Sequence, residues 1–240
     1  MADIRPHLVE SLERLNTGYL DVYFLHYPVS NDVVHIRDRM ATMMKLKEEG
    51  LIRAIGISNF TIEQTKEALE YGVIDVAQPC FNLVWRWEED YIKYCKENNI
   101  GVVTYSSVAQ GLLSGGYSKD KRPNDARIGA TMFRTDNGNY DKSLSMLALL
   151  TEISAKYGRT PAQGAIKWLQ QFPGVTAPIV GAYNEQQARE NASASDWEFS
   201  QEDFDALDNL SLEIKNSMEY PNATFQAWTS PEPNPFRAAN

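Results

Sequence analysis

Five apolar, strand-like segments of this 240-residue chain each end in small, polar or aromatic residues of types that bind or act on ligands. In chain order these residues are His26; Ser58 and Asn59; Gln78; Tyr105, Ser106 and Ser107; and Gly181, Ala182 and Tyr183. In parallel α/β folds, functional groups collect at the carboxyl ends of the strands. Each residue alone also has a structural interpretation, such as a packed imidazole at His26 or a helix N-cap at Ser58 or Asn59. Their combination at one end of a predicted sheet favours a functional site.

Two glycine-bearing segments have the chemistry to bind a phosphate group. The first holds Gln110, Gly111, Leu113 and Gly115, and its small residues let the backbone approach an anion such as a pyrophosphate. An ordinary glycine turn is the alternative interpretation of this segment. The second places Gly181 shortly before a predicted helix, whose amino terminus attracts anions. The sequence has no Rossmann or Walker phosphate motif, no serine-nucleophile elbow and no metal-ligand spacing.

Strands and helices alternate along the chain and would position these residues. Strands are predicted over residues 19–25, 52–57, 73–77, 100–105 and 177–180. Helices are predicted over residues 8–15, 40–49, 62–71, 88–98, 143–157, 161–171 and 185–194. Nearly continuous apolar strands between amphipathic helices predict an α/β fold with a parallel sheet sheathed by helices. Because no linker divides the chain, we expect one domain over residues 1–240, with a long loop at 116–142 and an irregular tail at 216–240.

The composition excludes several classes of partner. The formal net charge is −9, and such a surface repels phosphate backbones and anionic lipid, so we expect neither nucleic-acid nor membrane binding. The apolar runs are too short to span a bilayer, and the amino terminus lacks the apolar stretch of a signal peptide. Two cysteines, Cys80 and Cys95, make neither a disulfide framework nor a zinc site, so we expect a cytoplasmic protein.

Four strings in the chain resemble the aldo-keto reductases. They are LDVYFLHYP at residues 20–28, GLIRAIGISNF at 50–60, YSSVAQGLLSG at 105–115 and IVGAYNEQQAREN at 179–191. They follow the family's order, and the resemblance runs from about residue 4 to about residue 210. It implies a (β/α)8 or TIM barrel that binds NADP or NAD at the carboxyl ends of its strands. The protein would then be an oxidoreductase that reduces a small aldehyde or ketone.

The resemblance implies a role for each matched position. His26 matches the catalytic histidine, which orients the substrate carbonyl and assists proton transfer. The residues matched to cofactor binding are Ser58, Asn59 and Gln78 at the nicotinamide carboxamide; Tyr105, stacked on the nicotinamide; Ser106, Gln110, Gly111, Leu113 and Gly115 at the pyrophosphate; and Gly181, Ala182, Tyr183, Gln187, Glu190 and Asn191 toward the adenosine. Tyr27, Trp85 and Phe225 are candidate substrate-lining aromatic residues, with surface or core packing as the alternative interpretation of each. At Tyr183 many relatives carry a basic or small polar residue that meets the 2′-phosphate of NADP, so the choice between NADP and NAD stays open.

A second departure from the family concerns the front of the barrel. The five strands match strands four to eight of the family, so we expect an incomplete (β/α)8 barrel without the first three βα units, roughly 90 residues at about 30 per unit. In the family those units carry the catalytic Asp, Tyr and Lys. Only His26 of that tetrad is matched in this chain, so we expect an N-terminally truncated member that does not reduce carbonyls by the family's usual route.

Three interpretations of this pattern remain open. The chain is a shortened aldo-keto reductase, or a repurposed barrel fragment that acts as a non-redox enzyme or as a cofactor-binding or regulatory protein. In the third interpretation, chains associate so that a partner covers the gap. An open parallel sheet leaves backbone edges and an apolar face exposed. We therefore expect a homo-oligomer that covers these edges, whichever function is right.

Overall fold

The computed structural model describes residues 4–28, 35–125, 127 and 130–218. These residues form two compact units. The first unit holds the described residues up to 79 together with 91–102, and the second unit holds residues 80–90 and those from 103 to 218.

The first unit is a parallel sheet with helices. Its elements are α1 (Ile4–Leu15), β1 (Leu20–Leu25), α2 (Ile36–Glu48), β2 (Ile52–Ser58), α3 (Ile62–Leu69), β3 (Val76–Gln78), most of α4 (Glu89–Glu97) and the first half of β4 (Gly101–Thr104). The strands pair in parallel in chain order, with Val22 beside Ala54, Ile57 beside Ala77 and Val76 beside Gly101. All carboxyl ends of these strands therefore meet at one edge of the sheet.

Local sequence explains why the helices of the first unit begin and end where they do. Helix α2 is followed by Gly50 at a φ of +76°, a left-handed conformation that glycine adopts without steric cost. Helix α3 begins at a capping box in which Thr61 and Gln64 bond to each other's backbone N–H groups. Fully buried Met40, Met43 and other apolar side chains form the core of this unit, because they lie at helical spacing on the side of α2 that faces inward.

The second unit is dominated by helices. Its elements are the second half of β4, a 3-10 helix at Ala109–Ser114, a 3-10 helix at Thr131–Phe133, α5 (Asn139–Lys156), α6 (Pro161–Gln171), β5 (Ala177–Pro178), α7 (Glu185–Ala192), a 3-10 helix at Ser193–Asp196 and α8 (Gln201–Ser217). Strand β5 pairs in parallel with β4, with Val103 beside Ala177. The core contains the stacked aromatic rings of Phe81 and Trp168, whose centroids are 5.6 Å apart.

The predicted α/β fold with a parallel sheet is confirmed, and the described residues form five parallel strands in the predicted order. Helix α6 matches its predicted bounds at both ends, because Thr160 caps it and a proline occupies its first position. The irregular tail predicted from residue 216 was too early, since α8 continues through Ser217. The long loop predicted at 116–142 contains a 3-10 helix and the first turn of α5.

Gly164 allows helices α5 and α6 to pack unusually closely. A Cβ atom at this position would lie 2.1 Å from Ser154 Oγ and 2.9 Å from Leu150 Cδ1. We expect Gly164→Ala to lower the free energy of unfolding by about 1–3 kcal/mol, because the helices must separate or the side chains must leave their rotamers. Urea unfolding followed by circular dichroism measures the loss.

Ser154 provides the test of this explanation. Its buried Oγ has no hydrogen-bond partner among the described residues, so Ser154→Ala alone should cost little. In the double variant Gly164→Ala, Ser154→Ala, the 2.1 Å contact no longer exists, and part of the stability should return. Strict additivity of the two single variants would show that this contact is not the cause.

Candidate functional site

A cavity of about 780 Å³ lies in the second unit. Its walls are residues 106–108, 110, 111 and 114 after β4; residues 160 and 162 at the start of α6; residues 179–183 after β5; residues 187, 190 and 191 on α7; and Arg127. A cavity of this size is typical of sites for small molecules and cofactors. The carboxyl ends of both strands of this unit therefore open onto it, as expected for ligand sites in parallel sheets.

The segment after β4 approaches the cavity in a strained backbone conformation. Ser106, Ala109 and Gln110 have φ values of +57°, +49° and +54°, in the left-handed region that non-glycine residues rarely adopt. Gly111 and Gly115 follow at +93° and +81°. Such strain is stored where the surrounding structure holds it, often at ligand sites. Here Asn82 Nδ2 donates a hydrogen bond of 2.9 Å to the carbonyl oxygen of Ser106.

The wall formed by the start of α7 is held by its own side chains. Asn184 caps the helix, accepting at Oδ1 a 2.9 Å hydrogen bond from the backbone N–H of Gln187. The side-chain oxygen of Gln187 accepts a 2.8 Å bond from the backbone N–H of Tyr183, and Asn191 Nδ2 donates one of 3.2 Å to the carbonyl oxygen of Gly181. Tyr183 is 98% exposed. This turn therefore has a defined shape before any ligand binds.

Two charged residues, Arg127 and Glu190, belong to the described cavity wall. The Nε atom of Arg127 lies 2.8 and 3.0 Å from the two carboxylate oxygens of Asp125, and its backbone N–H donates to the same group. Hydrogen bonds from Arg127 hold the pKa of the Asp125 carboxyl down at about 2, and the carboxylate raises the pKa of Arg127. The guanidinium is thus already paired.

The matched residues of the first unit meet where strands β1, β2 and β3 end. Ser58 Oγ donates a 2.8 Å hydrogen bond to the carbonyl oxygen of Gln78. Asn59 Nδ2 donates to the carbonyl oxygen of His26 at 2.9 Å and to Ser58 Oγ at 3.2 Å. Asn59 also has a φ of +61°. Because Thr61 caps α3, the alternative interpretation of Ser58 and Asn59 as its N-cap is excluded.

The remaining candidates lie outside the cavity wall or beyond the described residues. His26 is exposed, and its ring centroid lies 4.3 Å from that of Tyr27. The backbone carbonyl oxygen of Tyr27 accepts a hydrogen bond from Arg39. Trp85 is 3% exposed. Leu113 is buried, and neither Tyr105 nor Gly115 lines the cavity. Phe225 lies outside the described residues.

The structure also adds residues that pattern reasoning did not assign to the site. Arg127 and Thr160 line the cavity. Thr160 had a recognisable signal, the threonine-proline pair at a helix start, but that signal predicts a cap rather than a ligand contact. Arg127 is one of several basic residues in the segment 116–142, and nothing in its local sequence distinguishes it from the others.

Both cysteines are buried free thiols, and burial raises the pKa of Cys80, so this thiol is a poor nucleophile. Burial also raises the pKa of Glu88 to about 7.

The described residues contain no group of three or more side chains suited to a metal ion. Within the same residues, no helix combines the length and the apolar character needed to cross a membrane.

Comparison with known proteins identifies the family of this chain. The model of the aldo/keto reductase family matches residues 1–212. The chain belongs to this family. It is 32% identical over 218 residues to the NADH-specific methylglyoxal reductase of Escherichia coli (strain K12), covering 90% of this chain and 65% of the relative. It is 30% identical over 228 residues to the aldo-keto reductase YhdN of Bacillus subtilis (strain 168), covering 92% of this chain and 66% of the relative.

Solved structures of the aldo/keto reductase family have the same fold. The glycerol dehydrogenase AKR11B4 from Gluconobacter oxydans is 26% identical, with a TM-score of 0.81 over 93% of this chain and 68% of that protein. The thermostable aldo-keto reductase Tm1743 is 27% identical, with a TM-score of 0.70 over 87% of this chain and 66% of that protein. The chain thus spans about two thirds of the length of the curated relatives it matches.

Proposed function

We propose that this protein is an oxidoreductase that uses a nicotinamide dinucleotide to reduce an aldehyde or a ketone. The observation that carries the proposal is the cavity of about 780 Å³, because its walls are the two segments that resemble the family's pyrophosphate and adenosine sites. Membership in the aldo/keto reductase family supports it. So does the name of the Escherichia coli relative, an NADH-specific methylglyoxal reductase.

The donor groups of the cavity fit the pyrophosphate and adenosine part of such a cofactor. Ser106 brings a hydroxyl group and Gln110 an amide, and both can donate to phosphate oxygens. The hydroxyl groups of Ser107 and Ser114 donate instead to the carbonyl oxygens of Thr104 and Gly111. The start of α6 at Thr160 contributes the partial positive charge of a helix amino terminus. Gly181 lines the cavity, and the space beside its Cα atom is open, since a Cβ atom there would meet no protein atom within 4 Å.

In the first unit, the hydrogen-bonded residues at the strand ends would hold the nicotinamide ring. The resemblance assigns Ser58, Asn59 and Gln78 to the carboxamide of the nicotinamide ring. When bound, the reduced nicotinamide supplies a hydride to the carbonyl carbon. His26 would orient the carbonyl oxygen and assist the transfer of a proton to it.

Turnover is a separate part of the proposal from binding. We infer that the five strands correspond to strands four to eight of the family's barrel, and that this chain matches only His26 of the catalytic Asp, Tyr, Lys and His. Positioned acids typically contribute about 10²–10⁴-fold to a rate. Cofactor binding therefore rests on residues that this chain contains, whereas the full reduction rate depends on groups that it does not match.

Calorimetric titration of the purified protein with NADH and with NADPH tests binding directly. We expect a dissociation constant between about 1 μM and 1 mM for at least one of them, the range usual for ligands of enzymes. Absence of binding of both at millimolar concentration would contradict the proposal. Binding without oxidation of NADH or NADPH in the presence of methylglyoxal would favour a cofactor-binding protein over a reductase.

Gly181→Val locates the binding site. A Cβ atom at this position meets no protein atom within 4 Å, so we expect folding to be little affected. The new side chain would stand at the cavity wall, and we expect a loss of affinity of about tenfold or more, on the scale of one overpacked contact. Gly18→Val is the matched control, because Gly18 has equally open surroundings in the first unit and does not line the cavity. Equal losses in both variants would place the ligand elsewhere.

A further inference from the structure

The segment that carries His26 lies beyond the ladder of hydrogen bonds that holds β1 in the sheet. The last residue of β1 that pairs with β2 is Leu25, opposite Ile57. His26 and Tyr27 follow outside the strand, where backbone groups need partners other than the ladder. Because His26 is also exposed, packing alone would hold it weakly.

Two side chains bond to the backbone carbonyl groups of this segment. Asn59 Nδ2 donates a 2.9 Å hydrogen bond to the carbonyl oxygen of His26. Arg39 Nη1 donates to the carbonyl oxygen of Tyr27. The two donors belong to different parts of the chain, since Asn59 directly follows β2 and Arg39 lies near the start of α2. Each bond therefore fixes a peptide group at or next to His26.

Asn59 is itself held in place. Its φ of +61° is in the left-handed region, which asparagine tolerates better than most residues. Its Nδ2 atom also donates to Ser58 Oγ at 3.2 Å, and Ser58 Oγ donates to the carbonyl oxygen of Gln78 at 2.8 Å. This series of hydrogen bonds connects the backbone of His26 to the ends of β2 and β3.

Arg39 is an unusual donor because its charge is buried without a counterion. The residue is 9% exposed, and its Nε atom is buried with no hydrogen-bond partner among the described residues. Burial lowers the pKa of Arg39, and no carboxylate of the described residues offsets this effect. Burying such a cation costs free energy. Stability of α2 alone would favour an apolar side chain here, but an apolar side chain could not bond to Tyr27.

We propose that Arg39 is a positioning residue, which holds the segment of His26 and Tyr27, together with Asn59, so that the His26 imidazole keeps the orientation in which it acts. The inference rests on the proposed function, which gives His26 its role at the carbonyl oxygen of the substrate. Arg39 acts through the backbone carbonyl of Tyr27. Misplacing a catalytic group by about 1 Å can cost about 10²-fold in rate, so this single bond has a functional effect.

NMR of the full chain tests the positioning without requiring turnover. The ring centroids of His26 and Tyr27 lie 4.3 Å apart, so a nuclear Overhauser effect (NOE) between the two rings reports their relative placement. Arg39→Met keeps the length of the side chain but removes the donor and the charge. We expect the NOE to weaken severalfold in this variant. In Arg39→Lys, whose ammonium group can still donate to a carbonyl oxygen, most of the NOE should remain.

Arg122→Met is the matched control. Arg122 makes the same kind of contact in the second unit, donating through Nη2 to the carbonyl oxygen of Phe133 at 2.7 Å, and its buried Nε also has no partner among the described residues. We expect the NOE between His26 and Tyr27 to stay as in the parent. An unchanged NOE in Arg39→Met, an equal loss in Arg39→Lys, or an equal loss in the control would each overturn the inference.

Cofactor titration keeps this inference separable from the proposed function. Because Arg39 bonds to the Tyr27 backbone, we expect Arg39→Met to bind NADH as tightly as the parent. Where the parent oxidises NADH in the presence of methylglyoxal, kcat should fall by about tenfold or more. A loss of NADH affinity with an unchanged NOE would overturn the positioning role. Absence of NADH and NADPH binding by the parent would contradict the proposed function, whereas the NOE is measured without either cofactor.

Discussion

Replacing Arg86 by alanine is expected to lower the free energy of unfolding by about 3–5 kcal/mol. The side chain is 1% exposed and binds two carboxylates, Glu89 at 2.9 Å and Asp208 at 2.7 Å. Its guanidinium also lies 5.5 Å from the ring centroid of Trp168 and 5.2 Å from that of Phe172. Truncation therefore leaves a cavity beside these rings and two carboxylates without their shared partner.

Urea unfolding followed by tryptophan fluorescence measures this loss, because Trp85, Trp87, Trp168 and Trp197 all lie in the second unit. Arg189→Ala is the control in the same unit. Its ion pair with Glu185 is 78% exposed on both sides, and exposed pairs contribute about 0–1 kcal/mol. A similar loss in both variants would show that burial is not what gives Arg86 its effect.

Replacing Trp168 by alanine should cost a comparable amount, about 3–5 kcal/mol. The side chain is fully buried in α6. Its ring contacts Phe81, Phe172 and Phe204, with centroid distances of 5.6, 5.0 and 6.2 Å. Removing it takes away the centre of the aromatic core of the second unit, and the surrounding rings cannot close the space without leaving their rotamers.

The conservative variant Trp168→Phe separates packing from hydrogen bonding. The indole Nε1 of Trp168 is buried and has no hydrogen-bond partner among the described residues, so its removal relieves a desolvated donor. We expect a clearly smaller loss of the unfolding midpoint in urea than for Trp168→Ala. A loss as large as that of the alanine variant would contradict this explanation and would mean that the core needs the full volume of the indole rather than an aromatic ring.

Helix α8 shows where local patterns were insufficient. Its 17 residues contain a narrow buried stripe of Leu207, Ser211 and Ile214, which is too short an apolar signal to predict a helix from periodicity. A start signal did exist, since Ser200 accepts a hydrogen bond from the backbone N–H of Asp203. Much of what holds the helix is distant in sequence, such as the contact of Ser211 Oγ with the carbonyl oxygen of Leu83 at 2.6 Å.

Strand β5 was predicted too long, whereas helix α8 was not predicted at all. The apolar run predicted a strand over residues 177–180, whereas the paired segment is only Ala177–Pro178. Pro178 has no backbone N–H to donate, which limits the ladder that this segment can form. The chain leaves the sheet there, and residues 179–183 become part of the cavity wall.

The family, the order of the strands and the residue types at their carboxyl ends could be predicted from the chain alone, because these depend on motifs and on periodicities within a few residues. Which groups share a cavity could not be predicted in this way, because it depends on how distant segments pack. Ser106, Thr160 and Asn191 are far apart in the chain and meet through packing. The tertiary structure also decided that Arg127 faces this cavity already paired with Asp125. Charge compensation depends on distances between side chains, and those distances exist only once the segments have packed.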